Sequence, residues 1–210
     1  GYDVDGLVGD DAISAVVTGS ITFPSESPVT NTLTSYEFTT GTPGNYSVTT
    51  ANGQLTMTNA EVAITITAAS DSKTYDGSAL TNSTVTVTSG SLLTGDTLVA
   101  TATGSATNVA DTATGNNPIA AGYKVMHGEE DVTANYTITT EAGTLTINPK
   151  AVTVTAKSEA FTYDGNAHSN AGYDVDGLVG DDAISAVVTG SITFPSESPV
   201  TNTLTSYEFT

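Results

Sequence analysis

Four carboxylates crowd the opening stretch "GYDVDGLVGDD": Asp3, Asp5, Asp10 and Asp11. Oxygen-rich clusters of this kind hold calcium, a hard cation that takes about six to eight oxygen ligands. An EF-hand loop places glycine sixth and glutamate twelfth. Here Gly6 is fourth counting from Asp3, and no such glutamate follows. The corresponding place in the middle of the chain, "TSGSLLTGDT", carries one acid. The pattern therefore favours turn carboxylates, and neither a metal nor any other cofactor is expected.

Lys73 and Lys157 raise a second chemistry, a lysine–asparagine isopeptide crosslink, which would brace a chain that has no cysteine. Such a bond needs a buried lysine, an asparagine and a catalytic acid brought together across strands. The two lysines are not at equivalent positions, because Lys73 aligns with Phe161, so a solvated lysine at a strand end is the simpler expectation. The only histidines, His127 and His168, do not recur either, and no serine or carboxylate around them repeats a triad or dyad pattern. No enzymatic site is expected. Rows of Thr-x-Thr could form an ice-binding array, but threonine is also the best polar residue for the wet face of a strand.

The elements that would position these groups are set by repetition, which must be read before anything else. Residues 1–39 and 172–210 are identical, offset by 171 positions. An older repeat lies inside: "TYDG" occurs at Thr74–Gly77 and Thr162–Gly165, 88 positions apart, and "NYSVTTANGQLTMT" at 45–58 echoes "NYTITTEAGTLTIN" at 135–148. Two sister domains alternate, with periods of 88 and 83. On this division residues 1–59 are the C-terminal part of domain A, 60–148 a complete domain B, and 149–210 the N-terminal part of the next A. Units of this size lie near the low end for burying a generous core.

The 210 residues thus read as a window on a longer tandem array, in which Thr210 is followed by something like Thr40 onward. The identical stretches are expected to form the same strands. Strands missing from either partial A are expected from a neighbouring copy or from continuing chain.

The periodicity is that of strands. "VAITITAAS", "TVTVTS", "YTITT", "GTLTI" and "AVTVTA" alternate aliphatic residues with threonine, the mark of a sheet with one dry and one wet face. Val62, Ile64 and Ile66 are expected to face a core, with Ala63, Thr65 and Thr67 facing out. Gly, Asn, Asp and Pro punctuate the runs as turns, and only "SATNVADTATG" offers a short helical turn. The expected class is all-β: small β-sandwich (Ig-like) domains in an extended tandem array, with a β-grasp-like topology as the alternative.

Residues Lys73–Gly77, Gly95–Asp96, Asp131–Tyr136 and Gly143–Ile147 together resemble the YDG/MBG-type repeat domains of large bacterial surface proteins, especially those of Firmicutes. Domain A matches less fully, since Phe161 replaces the lysine and "TTGTPGNYSV" lacks the Asp-Val-Thr. The resemblance implies an exported, multi-repeat adhesin or stalk protein at the bacterial cell surface, and it implies no particular ligand. From the residues alone, the tyrosine of "TYDG" anchors a strand while Asp-Gly supplies the positive-φ turn. Gly95–Asp96, paired with Gly9–Asp10, reads as a turn whose carboxylate accepts backbone N–H bonds.

Charge narrows the partners. Four lysines and no arginine stand against 23 acids, a formal net charge of −19, so nucleic acid and anionic membrane surfaces are repelled. No apolar run approaches a membrane span, and a trypsin-like protease finds few sites. Two functions remain: a structural stalk whose partners are neighbouring repeats of the same chain or polymer, and an array of multivalent modules for a host glycan or mucin. Tyr46, Tyr75, Tyr136 and Tyr163 are expected as core aromatics. Tyr2, Phe23, Tyr36, Phe38 and Tyr123 are then left as candidates for a ligand surface.

Overall fold

A computed structural model describes all 210 residues. The protein is all-β: fifteen strands are joined by turns, and helix is confined to five single 3-10 turns. No helix is long and apolar enough to cross a membrane. Contacts divide the chain into two units, one of residues Gly1–Ile66, Val87–Val99 and Tyr123–Thr139, the other of Thr67–Thr86, Ala100–Gly122 and Thr140–Thr210.

Strands β1 (Ala12–Thr18), β2 (Val29–Thr40) and β3 (Gly53–Leu55) form an antiparallel sheet in that order. Then follow β4 (Val62–Ala68), β5 (Asp71–Thr74), β6 (Val85–Ser89), β7 (Asp96–Val99), β8 (Lys124–His127), β9 (Glu130–Asp131), β10 (Tyr136–Glu141) and β11 (Leu145–Asn148). They make two three-stranded sheets, ordered β10–β4–β6 and β7–β8–β9, and one parallel pair, β11–β5. The last strands are β12 (Thr153–Ala156), β13 (Tyr173–Asp176), β14 (Ile184–Thr189) and β15 (Thr203–Phe209), paired antiparallel as β12–β13 and β14–β15.

The alternation in β4 is used as its sequence dictates. Ile64, Ile66 and Ala68 are buried, whereas Ala63 is exposed and Thr65 and Thr67 are half-buried. In the first unit Val125, Val132 and Tyr136 join Ile64 and Ile66 as buried side chains. In the second, Ala106, Leu145 and Ile147 form a cluster against which Tyr75 and Leu80 pack.

The two identical stretches share their central hairpin but not every strand: Tyr173–Asp176 is a strand paired with β12 where residues 2–5 are not, and Val29–Asn31 is a strand paired with β3 where residues 200–202 are not. Ile13 pairs with Phe38 and Val17 with Leu33; Ile184 pairs with Phe209 and Val188 with Leu204. Both hairpins carry a register shift between their two adjacent valines, at Val16/Val17 and at Val187/Val188. In both, a glutamate folds back on its own turn: Glu26 accepts the N–H groups of Thr22 and Phe23, Glu197 those of Thr193 and Phe194. Tyr2 and Tyr173 each donate to the carbonyl of the isoleucine that opens the hairpin. Burial differs between the copies in both directions: Ile184 and Val188 are covered where Ile13 and Val17 are half-exposed, whereas Phe194 and Phe209 are exposed where Phe23 and Phe38 are half-buried.

Tyr163 departs from expectation: it is 57% exposed, whereas Tyr75 is partly buried against Leu145 and Ile147. The tyrosine alone does not make a core. Tyr75 is covered because β11 lies beside β5, and residues 159–163 have no strand in that position.

Candidate functional site

The recurring acid is a lock on a tyrosine. The Tyr136 hydroxyl donates to Asp96 Oδ2 at 2.5 Å and accepts the Leu93 N–H at 2.9 Å, while Asp96 Oδ1 lies 2.6 Å from His127 Nδ1. The same geometry recurs with Tyr46 donating to Asp11 Oδ2 at 2.5 Å and accepting the Val8 N–H at 3.1 Å. Each acid also closes its own turn, by Asp96 N–H to Leu93 O, Asp11 N–H to Val8 O and Asp182 N–H to Val179 O. Two expectations are corrected here. The counterpart of Asp96 is Asp11, not Asp10, because the turn is held one residue later. The carboxylate of Asp96 serves side-chain partners, not backbone N–H groups, because its edge of the turn faces Tyr136 and His127.

Both tyrosines are pushed above the ordinary phenol range. Donation to the Asp11 carboxylate raises Tyr46, and burial followed by the Asp96 contact raises Tyr136. A raised folded value means that the neutral phenol is favoured in the fold. The contribution is complete below about pH 10 and is lost as pH rises through the folded values. Alkaline titration followed at the phenolate absorbance is expected to show two of the nine tyrosines ionising last, together with unfolding. Tyr136→Phe and Tyr46→Phe should each remove one late tyrosine. Nine tyrosines titrating together in a folded chain would contradict the two locks.

Asp3, Asp5 and Asp10 are exposed and are not drawn toward Asp11, and no group of three or more metal-binding side chains is assembled. A chelator is therefore expected to leave Tm unchanged; a fall beyond about 5 °C, on the order of 1 kcal/mol for a small domain, would restore calcium.

The "TYDG" turns use glycine as expected, with φ +78 at Gly77 and +83 at Gly165. Asp76 accepts from the Lys73 ammonium at 2.7 Å and from the Ser78 N–H, which holds its carboxyl well below the usual range. Lys73 is thus committed to this turn through Asp76 and Ser78, and Lys157 pairs with Asp174. Where Phe161 replaces the lysine, His168 takes over, its Nε2 2.9 Å from Asp164 and its ring stacked on Phe161 at 4.8 Å. The Asn166 N–H, then the Asn166 side chain and His168, hold Asp164 at about 2. A depressed carboxylate gives stability above its unfolded value near 4 that fades as pH falls toward 2.

A third fixture was not legible as a motif. Asn117 is fully buried: its amide donates to Ala69 O and Asn82 O, and its Oδ1 accepts the Gly104 N–H at 2.8 Å. Asn202 makes the matching bonds to Lys157 O and Asn170 O, 88 positions on from Ala69 and Asn82. Its Oδ1 is buried without a partner. The glycine facing each asparagine is forced by close approach, since a Cβ on Gly104 would meet Asn116 O at 2.4 Å, and Gly190 faces Asn202 in the same way.

Beside Asn202 opens a groove of about 670 Å³, lined among others by Phe161, Tyr163, His168, Ile192 and Phe194. A second groove of about 490 Å³, in the first unit, includes Tyr2 and Tyr36. Of the other unassigned aromatics, Phe38 stacks on Tyr46, Phe23 meets His127 edge-on and Tyr123 is half-buried. Phe161, Tyr163 and Phe194 are the exposed aromatics of the larger groove. The exchange of Lys73 for Phe161 was their one signal in the sequence.

Comparison with known proteins finds no matching family model, no matching curated protein and no matching solved structure.

Proposed function

We propose that this chain is part of the stalk of an exported bacterial surface protein, built from alternating small β-sandwich domains, with β-grasp-like as the alternative topology, that hold other domains away from the cell. The observation that carries this is the reuse of one set of fixtures. Turn acid with tyrosine, buried asparagine with facing glycine, and the Asp-Gly turn recur in sister segments, and each is occupied in holding strands. The resemblance to YDG/MBG-type repeats points the same way.

Within the first unit, contacts at the junction near residue 60 favour a joint of limited bending. Phe23 meets the His127 ring at 5.5 Å, Ser25 donates to Glu130 at 2.8 Å, and the Ala60 N–H bonds Asn135. Small-angle scattering from chains of one, two and three 171-residue units is expected to give a maximum dimension that grows in proportion to unit number. A compact particle of constant aspect would refute a stalk.

A multivalent glycan- or mucin-binding array is the second reading, favoured by the exposed Phe161, Tyr163 and Phe194 around a concave groove. Aromatic platforms of this kind suit sugar rings. Retention of the chain on a mucin surface, lost in Tyr163→Ala and Phe194→Ala, would support it over the stalk.

A further inference from the structure

Three loops of this chain are built to one plan. Glu26 accepts the N–H groups of Thr22 and Phe23 at 2.6 and 2.8 Å, and Glu197 those of Thr193 and Phe194 at 2.8 and 2.9 Å. In the middle repeat Asp111 accepts those of Thr107 and Asn108 at 2.9 and 2.8 Å. Each acid ends a single 3-10 turn and reaches back to its first residues, so the shape is set within the loop and needs no neighbour. What differs is the pair of side chains presented. The first loop carries Phe23 and Ser25 and its identical copy Phe194 and Ser196, whereas the middle repeat has Asn108 and Ala110 in those places.

Within the first unit the Phe23 loop lies against the β8–β9 hairpin, its ring edge-on to His127 at 5.5 Å and the Ser25 hydroxyl donating to Glu130 at 2.8 Å. His127 and Glu130 stand opposite one another in register, which puts ring and carboxylate on one face of the hairpin. The ring is fixed from behind. Asp96 lies 2.6 Å from its Nδ1, and Gly95 sits so close that a Cβ there would meet Cε1 at 2.6 Å. The sister turn, after β2, cannot offer this surface. Gly41 faces the acid there at φ +95, and a Cβ on it would meet the Asp11 carboxyl carbon at 2.4 Å, so a histidine has no room. No returning strand supplies a glutamate either, because the chain leaves β2 at Thr40 for the 3-10 turn Pro43–Asn45.

We infer that the loop Thr22–Pro28 is an order-specific key: it recognises the β8–β9 hairpin of the repeat that follows it, through an aromatic contact with His127 and a hydroxyl bond to Glu130. Neither the loop at Asn108 nor the turn at Gly41 carries its half of the contact, so this docked joint forms only where a Phe-bearing loop precedes a His-bearing hairpin. The chemistry suits the chain. With four lysines against 23 acids, a joint built on ion pairs would draw on a scarce charge, and Lys124 of the hairpin is already paired with Asp131 at 2.9 Å. An aromatic edge and a neutral hydroxyl donor need no cation. The inference rests on the three sister loops and not on the mechanical role proposed above: scattering from a compact particle would refute the stalk and leave this docking in place.

The test is residual dipolar couplings from the 210-residue chain, fitted separately for β1–β2 and for β7–β9. One common alignment is expected, with through-space contacts between the Phe23 and His127 rings. Phe23→Ala/Ser25→Ala should split the two sheets into separate alignments, while the Thr22 amide, held by Glu26, keeps its shift. Phe194→Ala/Ser196→Ala makes the same change in the identical loop and should leave the common alignment intact. His127→Gly gives the hairpin the residue found at Gly41 and should also split the alignments, with Tyr136 still titrating late on Asp96. Two alignments in the unaltered chain, one alignment retained in Phe23→Ala/Ser25→Ala or in His127→Gly, or equal disturbance from the second-copy variant would each overturn the proposal.

Discussion

Asn117→Ala is expected to destabilise the middle repeat by about 3–5 kcal/mol, the largest loss available from a single polar side chain in this protein. The change strips partners from Ala69 O, Asn82 O and the Gly104 N–H together. Each buried backbone group left unpaired costs about 1–3 kcal/mol. The site is fully buried, so water can repair only part of the loss. Asn202→Ala is the internal control. It removes the same two donated bonds, but Asn202 Oδ1 has no partner to lose and the groove beside it is open. Its cost should be nearer 1 kcal/mol. Chemical denaturation of both variants checks the pair; equal costs would show that the Gly104 bond and the full burial of Asn117 add nothing to its contribution.

Leu145→Ala is expected to cost about 2–5 kcal/mol, as full burial and a rigid surround predict for a core leucine cut to alanine. Leu145 is 0% exposed and lies in the cluster with Ala106 and Ile147, with Tyr75 and Leu80 against it. The backbone cannot easily collapse into the space. Gly143, two residues before, approaches Ala68 O and Ala69 O so closely that no Cβ would fit, which pins the strand where it is. Leu55→Ala, the corresponding change in β3, should cost less than about 1.5 kcal/mol, because Leu55 is half-exposed and water already reaches the site. A thermal-melt series containing both variants reads the difference directly.

The contrast between these positions marks what the sequence could convey. Strand β4 was legible because burial alternates with the chain's own period, and Ile64 and Ile66 lie inward as "VAITITA" predicts. Glycine at Gly77 and Gly165 was legible because a turn's backbone demand is local. Tyr136 was legible as a core aromatic, but its partner was not: Asp96 lies 40 positions away, and nothing in "TGDT" tells a carboxylate that caps its own turn from one that receives a distant hydroxyl.

Asn117 was illegible for the same reason. "ATGNNPIA" reads as a polar turn, and burial of its asparagine is decided by Ala69, Asn82 and Gly104, which only the folded chain brings together. Tyr163 shows the converse. Its TYDG sequence matches that of Tyr75, yet one is partly buried and the other exposed, because coverage comes from a strand that begins 70 residues away in sequence, as Tyr75 and Leu145 show. The grooves follow from that dependence and could not be read from composition or period.

The central claim, that alternating small β domains bear load as independent links of a stalk, is tested most directly by pulling a single chain of three 171-residue units from its ends. The account predicts a sawtooth with one force peak per domain and two alternating contour increments, from periods of 83 and 88 residues. At about 3.5 Å per residue these approach 290 and 310 Å before the folded length is subtracted. A featureless extension at low force, or single events each releasing a full 171-residue unit, would contradict it.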